Sequence, residues 1–543
     1  MASSEHSSAQ RLKLQGNALH DQGDYRAAHE KYSEAIKEDP ENPTFYCNRS
    51  ATSLAMKEFL DAAYDAEKAT KLDPKYAKAW GRLANATQCL GIWDKCFEAW
   101  QTALACIPAQ DPTAAQTALQ AKFREGLKLS KAAKANPPPP QPSRLVAVPV
   151  GRVNEGLVQM PWVRAAALEK EILAAQEESS AIIILFSSRT FEKGVKSMKS
   201  TVKRYINGEL AVEGVPNAIE AMSNAILIDR RCFYMDKDWG KQYIEQVKFE
   251  GEYYQAWGKG GAKIVCEQAP GRLKKEGWDS VGPAICITVR LWIMQGFLSG
   301  STGSQRVAAE YFRSSLDVIE WGRETWKDVP RDKRGDIFDI TFMRSVNRLF
   351  IAAVMDWLEM EDPECTYTPQ DLAKFAQDMI KELKSNTPEK IQEDQYHPDR
   401  LSYYAAWWVY PHADALGALG WFHLRLCKKT KSLEDKKIHL TAAARCYIEA
   451  ADIYPEDDEF SVWFRSIALD ALQQHGTPLR QTLPICKQIR LALPAVHRIW
   501  EHSAMSKRRD IALREVLEWE RESHKRLFAG KLTLASKVRS RHV

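Results

Sequence analysis

No two of the chain's 11 cysteines stand as Cys-x-x-Cys. A disulfide framework and a cysteine-rich zinc module are therefore excluded, and the thiols read as reduced, buried or inert. His-Glu-x-x-His, Gly-Asp-x-His and Gly-Asn-His-Glu do not occur either, so the metal frames of zinc proteases and metallophosphatases are missing. Gly258-Lys-Gly-Gly-Ala-Lys263 has the composition of a phosphate loop but not its order, and reads as a plain loop. Gly300-Ser-Thr-Gly303 is not a Gly-x-Ser-x-Gly elbow and reads as a break between two helices. The histidines are dispersed. The expectation is no catalytic, cofactor-binding or metal-ligating residue. No unbroken apolar run reaches the ~18 residues that a membrane span needs. The start, Met1-Ala-Ser-Ser-Glu-His-Ser-Ser8, is polar. The expectation is no secretory signal and no membrane span, and a cytoplasmic or nuclear location. A dominant charge sign is lacking as well: +5 over 543 residues argues against nucleic acid as partner.

What is present is a repeat. Pro40, Pro74 and Pro108 stand 34 residues apart and close three equal frames, 9–42, 43–76 and 77–110. That period marks a tetratricopeptide (TPR) array of helix-turn-helix units. Frame positions 8, 20 and 27 hold Gly16, Ala28 and Ala35, then Ser50, Ala62 and Ala69, then Ala84, Cys96 and Ala103. All are small, which lets two helices approach closely. Position 24 (Tyr32, Ala66, Trp100) fills the gap between pairs.

The residues of each first helix that face away from this packing line the concave side of the array. They are Gln10, Lys13, Leu14 and Asn17; then Thr44, Cys47, Asn48 and Ala51; then Lys78, Gly81, Arg82 and Asn85. No acid is among them. Three cations and three amides converge, a groove suited to an anion. Lys13-x-x-x-Asn17, Asn48 and Lys78-x-x-x-Arg82 resemble the two-carboxylate clamp of co-chaperone TPR domains, as in the Hsp-organising protein, the TPR immunophilins and the TPR-containing phosphatase. The resemblance covers about a fifth of the chain and implies a function. Lys13, Asn17, Asn48 and Lys78 would hold the terminal carboxylate and last Asp of a Glu-Glu-Val-Asp tail, and Arg82 would reach the peptide. Such tails end the seventy- and ninety-kilodalton heat-shock chaperones. Leu14, Cys47 and Asn85 would be groove neighbours.

Residues 1–8 read as a disordered lead. Thr113 to Lys134 reads as a helix capping the array, within a segment 111–135. Asn136-Pro-Pro-Pro-Pro-Gln-Pro-Ser143 is a stiff spacer within a linker 136–160, and Arg144–Val153 reads as extended. Residues 161–543 read as an irregular helical-hairpin array, so the fold class is all-α. Ser180–Phe186 fits a buried strand or a buried helix equally. TPR-like second helices can be picked out at Ala218, Met222 and Ala225; at Ala308, Phe312 and Ser315; and at Ala443, Tyr447, Ala450 and Pro455. Tyr403, Tyr404, Trp407 and Trp408 share one helical face, which packs as core or lines a binding groove. The basic run 507–543 reads as a solvated helix and tail.

Two functions of different class follow. The first is a non-enzymatic co-chaperone or adaptor, with the clamp on chaperone tails and the C-terminal region on a client. The second is an enzyme whose catalytic C-terminal half is delivered to chaperones. A third reading keeps the TPR scaffold but gives it another acidic peptide.

Overall fold

The computed structural model describes residues 7–108, 110–136, 143–144, 159–175, 178–206, 209–388 and 400–538. Most of the polyproline spacer, most of the Arg144–Val153 stretch and residues 1–6 lie outside the described residues.

Each frame becomes a helical pair. The pairs are α1 (Ser8–Asp21) with α2 (Tyr25–Glu38), α3 (Pro43–Ala55) with α4 (Phe59–Leu72), and α5 (Ala77–Cys89) with α6 (Trp93–Ala105). Helix α1 begins inside the segment read as a disordered lead, because Ser7 caps it by accepting from the Gln10 N–H. Asp24 caps α2, and Asn42 caps α3 with Pro43 in its first turn. The nine small residues of the frame are all buried. A Cβ added to Gly16 would stand 2.7 Å from the Tyr32 ring, so glycine is what lets that ring close the first pair. Thr113 and Gln116 form a capping box that starts α7 (Ala114–Ala135). Phe123 of α7 packs against Trp100 at a centroid distance of 5.7 Å and seals the third repeat.

The chain divides into two compact units. The first joins the chain up to residue 142 with 254–292 and 302–335, and the second holds 143–253, 293–301 and 336–543. The first unit thus takes helices that the sequence reading placed with the C-terminal region. Helix Ala262–Glu276 is capped from outside: Asp61 of α4 accepts from the Gly261 N–H at 2.9 Å and the Ile264 N–H at 3.3 Å. Helix Gln305–Thr325 returns the favour, since its Glu310 accepts from the Leu60 N–H at 3.0 Å at the start of α4. Glu58, the residue before α4, makes no side-chain cap bond of its own.

Helix Trp278–Ser301 bears on the expectation of no membrane span. Its 24 residues are long and apolar enough to cross a membrane by length and composition, although Arg290 breaks the run in sequence. Its most apolar stretch is 72% buried inside the protein, the state of a core helix.

Among its described residues the second unit holds helices and one hairpin, β1 (Val202–Ile206) with β2 (Glu209–Glu213), which the all-α reading did not include. Ser180–Phe186 opens the helix Ser180–Lys199, started by the Ser179 side chain on the Ala181 N–H. The triplet Ala443, Tyr447 and Ala450 is buried on helix Leu433–Ile453. A Cβ added to Gly420, on the neighbouring helix Tyr410–Lys429, would stand 2.7 Å from Tyr447. The glycine-under-tyrosine contact of the first repeat thus recurs here. Of the aromatic cluster, Trp408 is core: Arg344 lies 4.9 Å over its ring and its indole N–H donates to the Asn386 carbonyl at 3.0 Å. Tyr404 stays 42% exposed. The basic C-terminal run forms helix Ser506–Phe528, but Arg509 departs from the solvated reading. It is fully buried and pairs with Glu459 at 3.1 Å.

Candidate functional site

Helix α3 touches both α1 and α5, which sets the groove positions of the three repeats side by side. At the first junction the Asn17 side-chain carbonyl accepts two hydrogen bonds. The Tyr32 hydroxyl donates at 2.8 Å and the Asn48 amide at 3.1 Å. These bonds tie α1, α2 and α3 at one point. They also leave the Asn17 NH2 group without a protein acceptor among the described residues. Two neutral donors are therefore held in place for an incoming acceptor.

Lys13 and Arg82 are half-buried and Lys78 is exposed. None of the three has a carboxylate within 4.0 Å among the described residues. Elsewhere in the same unit lysines do find carboxylates: Lys95 pairs with Glu67 at 2.6 Å and Lys263 with Glu58 at 2.7 Å. Arg82 and Lys78 both act on the Cys47 thiol of α3, so the α5 cations reach the middle of the groove. Burial nevertheless pushes that thiol up. Cys47 is only 3% exposed and lies beneath the groove surface rather than on it. Gly81 is also covered, since a Cβ there would meet the Phe123 ring at 2.5 Å. Leu14 is 44% exposed and offers the groove its apolar contact. Asn85 is half-buried one turn beyond Arg82.

Two contributors were not singled out from sequence. Tyr32 fills the gap at its frame position, and its hydroxyl also positions Asn17; burial raises it to about 12, keeping it a proton donor. Tyr76 bonds Cys47 and Thr44 and is raised by burial. The signal available for both is that a buried tyrosine needs a partner for its polar tip.

The glycine- and lysine-rich loop is occupied by the chain's own carboxylates. Asp61 takes the Gly261 and Ile264 N–H groups, and Lys259 pairs with Glu67. Among the described residues no three His, Cys, Asp or Glu side chains converge on a metal position.

A family model described as "TPR repeat" matches residues 16–52. The small glutamine-rich tetratricopeptide repeat-containing protein 2 of Saccharomyces cerevisiae is 40% identical over 96 residues, 18% of this chain and 28% of that protein. The Hsp70-Hsp90 organizing protein of Triticum aestivum is 34% identical over 135 residues, 25% of this chain and 22% of that protein. Among solved structures, the Sgt2 TPR domain of Aspergillus fumigatus shows 29% identity and a TM-score of 0.21, covering 26% of this chain and 91% of that one. The chain spans less than a third of the length of these two curated relatives. Its N-terminal repeats form a TPR domain similar to those of the Sgt2-like and Hsp70-Hsp90-organising co-chaperones.

Proposed function

We propose that the groove of α1, α3 and α5 binds the free C-terminal end of an acidic peptide, of the Glu-Glu-Val-Asp class that ends heat-shock chaperones. The chain is then a cytoplasmic adaptor without a catalytic step of its own, with its second unit engaging a client. One observation carries the reading: Lys13, Lys78 and Arg82 lack carboxylate partners around an Asn17–Asn48 pair that is already locked. Cations on one groove without counter-carboxylates favour a ligand that brings negative charge, and a peptide end supplies a carboxylate plus acidic side chains. Charge-assisted hydrogen bonds contribute about 1.5–3 kcal/mol each before desolvation, so the net affinity is micromolar and falls with salt. Similarity to the wheat organizing protein supports the choice of ligand class.

The test is calorimetric titration of the full chain with acetyl-Met-Glu-Glu-Val-Asp. Lys78→Ala or Arg82→Ala removes binding and leaves the melting temperature unchanged. A variant that binds normally contradicts the assignment. Fluorescence microscopy of the tagged chain tests the location, and a purely organellar pattern counts against it.

A further inference from the structure

The second unit contains a cavity of about 550 Å3 between helices Pro369–Ser385, Tyr410–Lys429 and Leu433–Ile453. Its apolar lining includes Ile380, Leu416 and Leu419. Its cations are Lys381, Lys384 and Arg445, with Glu449 as the one acid. None of these cations has an ion-pair partner among the described residues. Elsewhere in this unit exposed arginines do find carboxylates: Arg189 pairs with Glu169 at 2.7 Å and Arg498 with Glu171 at 2.6 Å. The remaining titratable side chains of the cavity are the Cys446 thiol, which burial pushes up, and His412. Burial pushes the His412 imidazole down, so the ring adds a hydrogen-bonding edge rather than a charge near pH 7.

The shape points to a chain segment. Gln377, Ile380, Lys381 and Lys384 line the cavity at i, i+3, i+4 and i+7, one continuous face of a helix. Seven residues of helix rise about 10 Å, the reach of three extended residues. A bare phosphate or nucleic-acid backbone has no use for the apolar lining, and a purely apolar segment would strand three cations. We propose that this cavity binds an acidic–apolar peptide segment of a partner protein. A leucine-sized side chain sits against Ile380, Leu416 and Leu419, and flanking carboxylates meet Lys381, Lys384 and Arg445. This deepens the reading of the second unit as the client-binding half and is independent of the ligand of the TPR groove.

The test is fluorescence anisotropy of the full chain with the fluorescein-labelled peptide Glu-Asp-Leu-Glu-Leu-Asp-amide. The amide end withholds the terminal carboxylate that the TPR groove requires. Binding is expected at micromolar concentration, and Lys384→Glu with Arg445→Glu weakens it about tenfold or more. Lys78→Ala leaves it unchanged. Replacing both leucines of the probe by serine also weakens it. Both protein substitutions fall on exposed side chains, and a melting curve checks the fold. Lys381→Glu is the second variant should the pair fail to fold. Full affinity in the charge-reversed variants overturns the site, as does no binding up to millimolar protein. Equal affinity for the serine probe overturns the peptide reading in favour of a bare anion site. Loss of binding in Lys78→Ala moves the probe to the TPR groove and overturns the proposal, whereas loss of the chaperone peptide alone leaves it standing.

Discussion

The carbonyl oxygen of Asn17 serves both Tyr32 and Asn48, and so couples the fold of the first repeat to the geometry of the groove. Tyr32→Phe keeps the ring over Gly16 and removes one bond. Thermal melts should show a loss of about 1 kcal/mol, and titration a weaker chaperone-peptide affinity at the same stoichiometry. Arg49 lies one residue from Asn48 but faces the packing side. It is 2% exposed and forms a bidentate pair with Asp65, both bonds 2.8 Å, while Glu267 approaches at 3.1 Å. Asp65→Ala leaves a buried guanidinium with the Ser33 hydroxyl at 2.9 Å and the Glu267 carboxylate at 3.1 Å in place of its bidentate partner, so denaturant unfolding should show a loss of about 3 kcal/mol. The small residues at positions 8, 20 and 27 were legible in sequence because size alone decides them. The Arg49 pair was not, because one partner comes from the next helix and the other from a helix more than 200 residues away.

At the scale of elements, α4 and the helices Ala262–Glu276 and Gln305–Thr325 exchange caps through carboxylates that are buried together. Burial and the neighbouring Glu58 raise Asp61 to about 7, and burial raises Glu310 to about 8, with Asp61 and Glu58 adding to it. Lys263, Arg49 and Asp65 also face this junction. Carboxyls in an unfolded chain titrate near 4. The folded state therefore holds more protons between about pH 4 and 8, and stability falls as pH rises through that window. Melts from pH 5 to 8.5 should show this decline, and Glu310→Gln should flatten it while still accepting from the Leu60 N–H. A flat wild-type profile contradicts the assignment. The helices of the three repeats could be read from their 34-residue period. The hairpin could have been marked by Asn207-Gly208 between two β-prone runs, a signal too short to outweigh helical neighbours. Ser180–Phe186 stayed ambiguous because so short an apolar run suits either element, and the Ser179 cap marks the start of the helix.

At the scale of the whole molecule, the TPR array is not a free-standing N-terminal module. Its unit includes 254–292 and 302–335, which no local pattern links to it. Experiments on the groove therefore call for the full chain rather than a fragment ending near residue 135. The identity of the candidate groove residues was legible, since repeat position fixes which side chains share a face. What covers Cys47 and Gly81 was not, because tertiary packing by α7 and the neighbouring repeats decides it. The central claim is that the groove grips a free peptide end. The measurement that tests it most directly is paired calorimetry of the full chain with acetyl-Met-Glu-Glu-Val-Asp as the free acid and as the C-terminal amide. Micromolar binding of the acid, lost with the amide, is the predicted result; equal affinity for both, or for neither, contradicts it.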